Sequence, residues 1–173
     1  TMNDRWGCER KPNVSVPVLV FENEKLKLDI TPQWGGRIWA LYDKVQRQEM
    51  VFNNPAHQPG QFGNTGAFTT GGIEWSYHPE RLEHSAFTHR DVWVAKLPTE
   101  KGPIVRIYDF DRWNGTTWQV DLLLQDEVVY VHPKLINTNP KDLEVFYWTC
   151  VGYKSHPDSR LIVPADGGLT ENS

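Results

Sequence analysis

Apolar and polar residues alternate strictly through Lys25-Leu26-Lys27-Leu28-Asp29-Ile30, and Ile38, Ala40 and Tyr42 repeat that two-residue period shortly afterwards. Successive side chains of a strand point to opposite faces, so this pattern predicts half-buried strands rather than helix. Runs rich in β-branched and aromatic residues at 18–21, 92–97, 104–110, 117–124, 128–136, 144–153 and 161–163 predict further strands. Turn-forming residues separate several of them, at Asn114-Gly115, Gln125-Asp126-Glu127 and 137–141. No segment holds a helical period for more than a turn or two. The predicted architecture is all-β and antiparallel, a sandwich or barrel, with helix below about 15% of the chain.

Residues 53–89 interrupt this pattern. They are rich in Gly, Pro, Asn, Gln and His, and a connection of that length in a compact domain is usually functional. Phe62, Phe68, Trp75, Tyr77 and Phe87 lie within it, an aromatic content that disordered segments lack. It also holds the phrase Thr70-Gly71-Gly72-Ile73-Glu74-Trp75, the counterpart of Trp34-Gly35-Gly36-Arg37-Ile38-Trp39 upstream. A glycine doublet lets the backbone approach something closely, and each doublet stands beside an ionisable group and an indole.

Two explanations fit these phrases. A pyranose ring offers C–H faces to aromatic rings and hydroxyls to carboxylate and guanidinium groups, which makes Arg37, Trp39, Glu74 and Trp75 candidate sugar contacts. Alternatively, the glycines form bends or bulges and the tryptophans fill the core.

Composition narrows the partners. The chain has 173 residues, enough to bury a substantial core, with eight Trp, six Tyr and seven Phe. Its formal net charge of −4 leaves no basic footprint for nucleic acid and no cationic block for an anionic membrane. No apolar stretch reaches the roughly 18 to 20 residues of a membrane span, so a soluble chain is expected. Cys8 and Cys150 suit neither a disulfide scaffold nor a CxxC site and are expected to be free thiols. Asn13-Val14-Ser15 and Asn114-Gly115-Thr116 match the glycosylation acceptor, a pattern too short to settle the compartment.

Glu74, His78, His84 and His89 form the densest titratable cluster. Glu74 and His84 are candidate proton-transfer groups at a sugar's anomeric centre, and His78 is a candidate substrate contact. The competing reading has Glu74 paired with Arg37 and the histidines on a surface loop. Glu74 and His78 have a spacing that brings metal ligands together only on a helix, and Pro79 biases His78 away from helical geometry. No metal and no cofactor are therefore expected. No nucleophile elbow or phosphate loop is present. A glycosidase pair with Glu74 would draw on Asp109, Asp111 or Asp121. Tyr147 and Trp148 fall on opposite faces of one strand, so one is core and the other, taken as Trp148, is available to a ligand.

In order, the phrases 31–39 and 71–75, with Phe52-Asn53-Asn54-Pro55, His84-Ser85, Trp118-Gln119-Val120, Ile136-Asn137-Thr138, Phe146-Tyr147-Trp148 and Val163-Pro164-Ala165-Asp166, resemble the mutarotase-like module called domain of unknown function 5107. That module is often found ahead of tetratricopeptide repeats and is similar to the galactose mutarotase superfamily. The resemblance implies an antiparallel β-supersandwich with a sugar cleft on its concave face, and Arg37, Glu74, Trp75 and His84 in or near that cleft. The family pattern has Asn in the places of Ser76 and Cys150. The full supersandwich takes roughly 270 residues, and its late general base has no counterpart here.

These readings give a working expectation. Residues 1–17 form an extension, 18–166 the N-terminal part of the mutarotase-like sandwich, incomplete at its C-terminal end, and 167–173 a tail. The domain is expected to hold a carbohydrate, or else to be a structural interaction module that binds none. An unfinished sheet is expected to associate with a second copy or a completing domain. If the carboxylate bonds hydroxyls, Glu74→Gln should weaken sugar binding by roughly 1.5 to 3 kcal/mol and change stability less. Arg37 and Glu74 in an open face beside an exposed indole would support binding; paired in a closed core, they would not.

Overall fold

The computed structural model describes residues 15–57, 60–61, 67–79, 84–85, 87–160 and 162. The early strands are β1 (Leu19–Glu22), β2 (Leu26–Thr31), β3 (Arg37–Asp43), β4 (Gln48–Glu49), β5 (Gly60–Gln61) and β6 (Ala67–Phe68). They are followed by β7 (Ile73–Pro79), β8 (Trp93–Leu97), β9 (Ile104–Asp111), β10 (Thr116–Gln125), β11 (Val128–Asn137) and β12 (Val145–Val151). The sole helical element among the described residues is a 3₁₀ turn at Pro32–Trp34. The larger sheet runs β1-β2-β3-β7-β12 with β4 beside β3, the second runs β11-β10-β9-β8, and β5 and β6 form a short ribbon. Every strand pair is antiparallel.

Alternation places the core between the two main sheets. Leu26, Leu28 and Ile30 of β2 and Trp75 and Tyr77 of β7 face Val105 and Ile107 of β9 and Trp118, Val120 and Leu122 of β10, all buried. Phe87 closes one end, its ring 5.2 Å from that of Trp118. Burying side chains of this size contributes about 1.5–3 kcal/mol each.

Three sequence expectations are corrected here. The period through Ile38, Ala40 and Tyr42 is broken, because Asp29 pairs with Ala40 while Ile30 pairs with Ile38, leaving Trp39 as the extra residue of a bulge. Ile38 therefore faces the core, Ala40 turns away with Asp29, and Leu41 resumes the core side opposite Leu28. The expected long loop is interrupted by β7, which lies between β3 and β12 inside the larger sheet. Ile73, Trp75 and Tyr77 alternate with Glu74, Ser76 and His78, a strand signal masked by the Gly71-Gly72 and His78-Pro79 flanks. Near the C-terminus, Ile162 is not in a strand. Residues 1–14, 62, 161 and 163–173 lie outside the described residues, and with them Cys8, Phe62, most of the expected extension and the whole tail.

The glycine doublets do bring the backbone into close approach, and what they approach is this protein. Gly36 sits at φ 67° where a Cβ would overlap the Ile107 side chain, and Gly72 at φ 65° where it would overlap the Ile38 carbonyl oxygen. The first doublet seats β3 on the second sheet, and the second seats β7 on β3.

Candidate functional site

Because odd residues of β7 enter the core, its even residues project from the other side of the larger sheet. Register adds their neighbours on β12: Cys150 opposite Glu74, Trp148 opposite Ser76 and Phe146 opposite His78. Arg37 enters this face from β3, where it pairs with Thr31. The strands thus gather Arg37, Glu74, His78 and Trp148 on one surface, and His84 and Thr88 reach it through Glu74.

Arg37 and Glu74 are 2% and 3% exposed, with Nη2 3.0 Å from Oε2. Arg37 also donates to the Gly71 carbonyl. The Oε1 atom of Glu74 accepts from Thr88 Oγ1 at 2.7 Å, His84 Nδ1 at 3.0 Å and Ser76 Oγ at 3.3 Å. Burial alone would raise the Glu74 pKa, but the His84 hydrogen bond, the Arg37 charge and the Thr88 hydroxyl together hold it below the usual carboxylate value. Burial works against the Arg37 charge and Glu74 favours it; a guanidinium so paired stays protonated.

This geometry revises three residue roles. Glu74, saturated by four donors and held ionised, is poorly suited to proton transfer near neutral pH, and neither it nor Arg37 presents itself to a hydroxyl. Trp75 lies in the core with its Nε1 donating to the Gly36 carbonyl at 3.0 Å, so its indole is not a stacking platform. Asp109, Asp111 and Asp121 belong to the second sheet, where they bond Arg90, the β9–β10 turn and Arg106 respectively, and none pairs with Glu74.

The His84 side chain, bonded to Glu74, is 15% exposed. It lies edge-on to the half-buried Trp148 at 5.9 Å, with Phe146 exposed farther along β12. Tyr147 of the same strand packs on the core cluster, as alternation requires. Ser76 keeps a polar contact to Glu74. Burial pushes the Cys150 thiol up, with the Glu74 charge adding to it, so Cys150 is protonated. One ligand atom each from Glu74, His84 and Cys150 lies within 4.8 Å of the others. A cation there would compete with Arg37 and with the donors already on Glu74.

Trp39 belongs to an adjoining aromatic group that sequence reading did not assemble. Trp34 stacks on His57 at 3.7 Å, Trp39 tilts against Trp34 at 4.9 Å, and His89 meets His57 edge-on at 5.5 Å. Burial, with the His89 and Arg37 charges adding to it, lowers the His57 pKa to about 3. The unfolded chain binds this proton near pH 6.5 and the folded one does not. Its contribution to stability is full above pH about 6.5 and is lost as pH falls toward about 3. Urea titrations at stepped pH should therefore show a flatter profile over this window for His57→Phe, which keeps the stack. Parallel profiles would show that His57 is solvated.

A family model described as domain of unknown function (DUF5107) matches residues 7–172. Among solved structures, a TPR-domain containing protein from Parabacteroides distasonis ATCC 8503 is similar at 24% identity and a TM-score of 0.57. The match covers 65% of this chain and 19% of that one, so the chain spans a small part of that protein's length, and the likeness shows the fold.

Proposed function

The chain belongs to the family described as domain of unknown function DUF5107, and on that premise we propose that it is a carbohydrate-binding module of the galactose mutarotase-like kind. The ligand lies on the outer face of the larger sheet, over Trp148 and against His84. The observation that carries this reading is the imidazole of His84, held by Glu74 at 3.0 Å and set against Trp148 at 5.9 Å.

The energetics support a positioning role for the buried pair. Desolvating two charges costs several kcal/mol each, and apolar replacements of similar volume often stabilise a fold. Here the pair fixes the orientation of a partly exposed imidazole beside an indole. A sugar C–H face resting on Trp148 and a hydroxyl bonded to His84 use both groups. Arg37 and Glu74 then support the site from beneath, and binding rather than epimerisation or hydrolysis is the activity we assign. Arg37 and Glu74 pair in a closed, buried arrangement and do not face an open cleft, which counts against their expected contact with sugar, so the reading rests on His84 and Trp148.

Glycan-array screening followed by calorimetry tests the reading. Trp148→Ala and His84→Ala should each weaken the selected glycan about tenfold or more, equivalent to about 1.4 kcal/mol. An array without binders, or affinities unchanged in both variants, would refute it.

A specific observation favours an interaction role as a second reading. Among the described residues β11 and β12 each have one neighbouring strand, and Val128, Val131, Val145 and Val151 on them are exposed. Such edges recruit strands. Light scattering at micromolar concentration should show a dimer or larger assembly, and a 20.0 kDa monomer that persists at high concentration would contradict this.

A further inference from the structure

We propose a second, independent ligand site for neutral oligosaccharides at the end of the second sheet, in a groove between the segment entering β8 and the β9–β10 turn. The groove has a volume of about 550 Å³, within the range of small-molecule sites. None of the residues that line it belongs to the Glu74 face.

Its walls combine three exposed rings. Trp113 is 95% exposed, Trp93 68% and Phe110 also lies open. Single exposed apolar residues are common, but aromatics gathered around one cleft mark a binding surface.

The charged groups identify the ligand's chemistry. Arg90 and Arg112 line the groove together with Asp91 and Asp109, two charges of each sign. An anionic ligand meets the carboxylates and a cationic one the guanidinium groups. A neutral polyol, whose hydroxyls both donate and accept, is suited by both. Pyranose rings supply those hydroxyls together with C–H faces for the indoles.

The walls are also held in place. Asp111 Oδ1 accepts from the Trp113 backbone N–H at 3.0 Å and the Asn114 backbone N–H at 3.3 Å, and Oδ2 from Asn114 Nδ2 at 2.6 Å. These bonds fix the turn that carries Trp113. Arg90 donates to Asp109 at 2.6 Å and lies 4.2 Å over the core ring of Phe87, so its guanidinium is anchored from below. Such preorganisation lowers the ordering cost of binding.

Affinity electrophoresis through native gels containing galactomannan, xyloglucan, arabinoxylan or laminarin tests the proposal with the full chain. At least one polysaccharide should retard the wild type, and Trp93→Ala and Trp113→Ala should each weaken retardation about tenfold. Both positions are solvent-exposed, so thermal melts of the variants should match the wild type. The same gels are run in a Trp148→Ala background, which disables the larger-sheet site: retardation should persist there and be lost when Trp93→Ala and Trp113→Ala are added. Raising salt from about 50 to about 500 mM should leave the retardation unchanged, because no net charge attracts the ligand. The proposal is overturned by the absence of retardation in all four gels. It is equally overturned by retardation that survives the Trp93→Ala/Trp113→Ala double variant in the Trp148→Ala background, or that salt abolishes.

Discussion

Glu74→Ala is expected to lower folding stability by about 3–5 kcal/mol, the loss typical of removing one partner from a buried ion pair. The substitution strands the Arg37 guanidinium, 2% exposed, with the Gly71 carbonyl as its one remaining hydrogen-bond acceptor among the described residues. It also removes the acceptor shared by Thr88, His84 and Ser76. Replacing both charges, as in Arg37→Met with Glu74→Leu, should cost less than Glu74→Ala alone, because no uncompensated charge is left behind. Urea unfolding decides it: a loss below about 1 kcal/mol for Glu74→Ala would mean that the charges are solvated. The pair also sets an acid response. The pKa of the Glu74 carboxyl is held below the usual carboxylate range, so the stability it contributes is present above that range and is lost as pH falls through the folded value. This reverses the sequence-based expectation for Glu74→Gln, in which affinity suffered and stability changed less.

Gly72→Ala is expected to destabilise by about 2–5 kcal/mol, from left-handed backbone strain and a main-chain collision together. Its φ is 65°, and the new Cβ would overlap the carbonyl oxygen of Ile38. That carbonyl is fixed in β3, where Ile38 pairs with Ile30 and with Ile73, so the clash cannot be relieved by a rotamer change. Gly102→Ala is the control: its φ of 115° carries backbone strain, but the nearest atom, a Leu123 methyl at 3.9 Å, leaves room. It should cost markedly less. Equal losses at the two positions would show that the close approach of β7 to β3 contributes nothing.

Most of the strands were legible because alternation and turn chemistry are local signals. The β9–β10 and β10–β11 hairpins follow directly from runs separated by Asn114-Gly115 and by 125–127. The interior strand β7 was not, because its six alternating residues are enclosed by glycine and proline that locally read as loop. The bulge at Trp39 was also hidden, since one extra residue changes the face without changing composition. At the site, Glu74 and Arg37 stand out by residue type and proximity to glycine and His84 by the titratable cluster it shares with Glu74, and the fold does bring the three together. Their roles depend on burial and on partners distant in sequence. Thr88 supplies the shortest hydrogen bond to Glu74 from fourteen positions away, and nothing near Thr88 announces it. Trp75 and Trp148 are both indoles, and only the pairing of β7 with β12 shows that one fills the core while the other lies on the opposite face of the sheet.

The carbohydrate-binding account is tested most directly by NMR of the indole Nε1–H groups during titration with glycans from the array. The Trp148 signal is expected to move progressively to saturation, while those of Trp75 and Trp118, buried between the sheets, stay in place. A Trp148 signal that remains fixed through every titration, including one in which Trp93 and Trp113 respond, would contradict it.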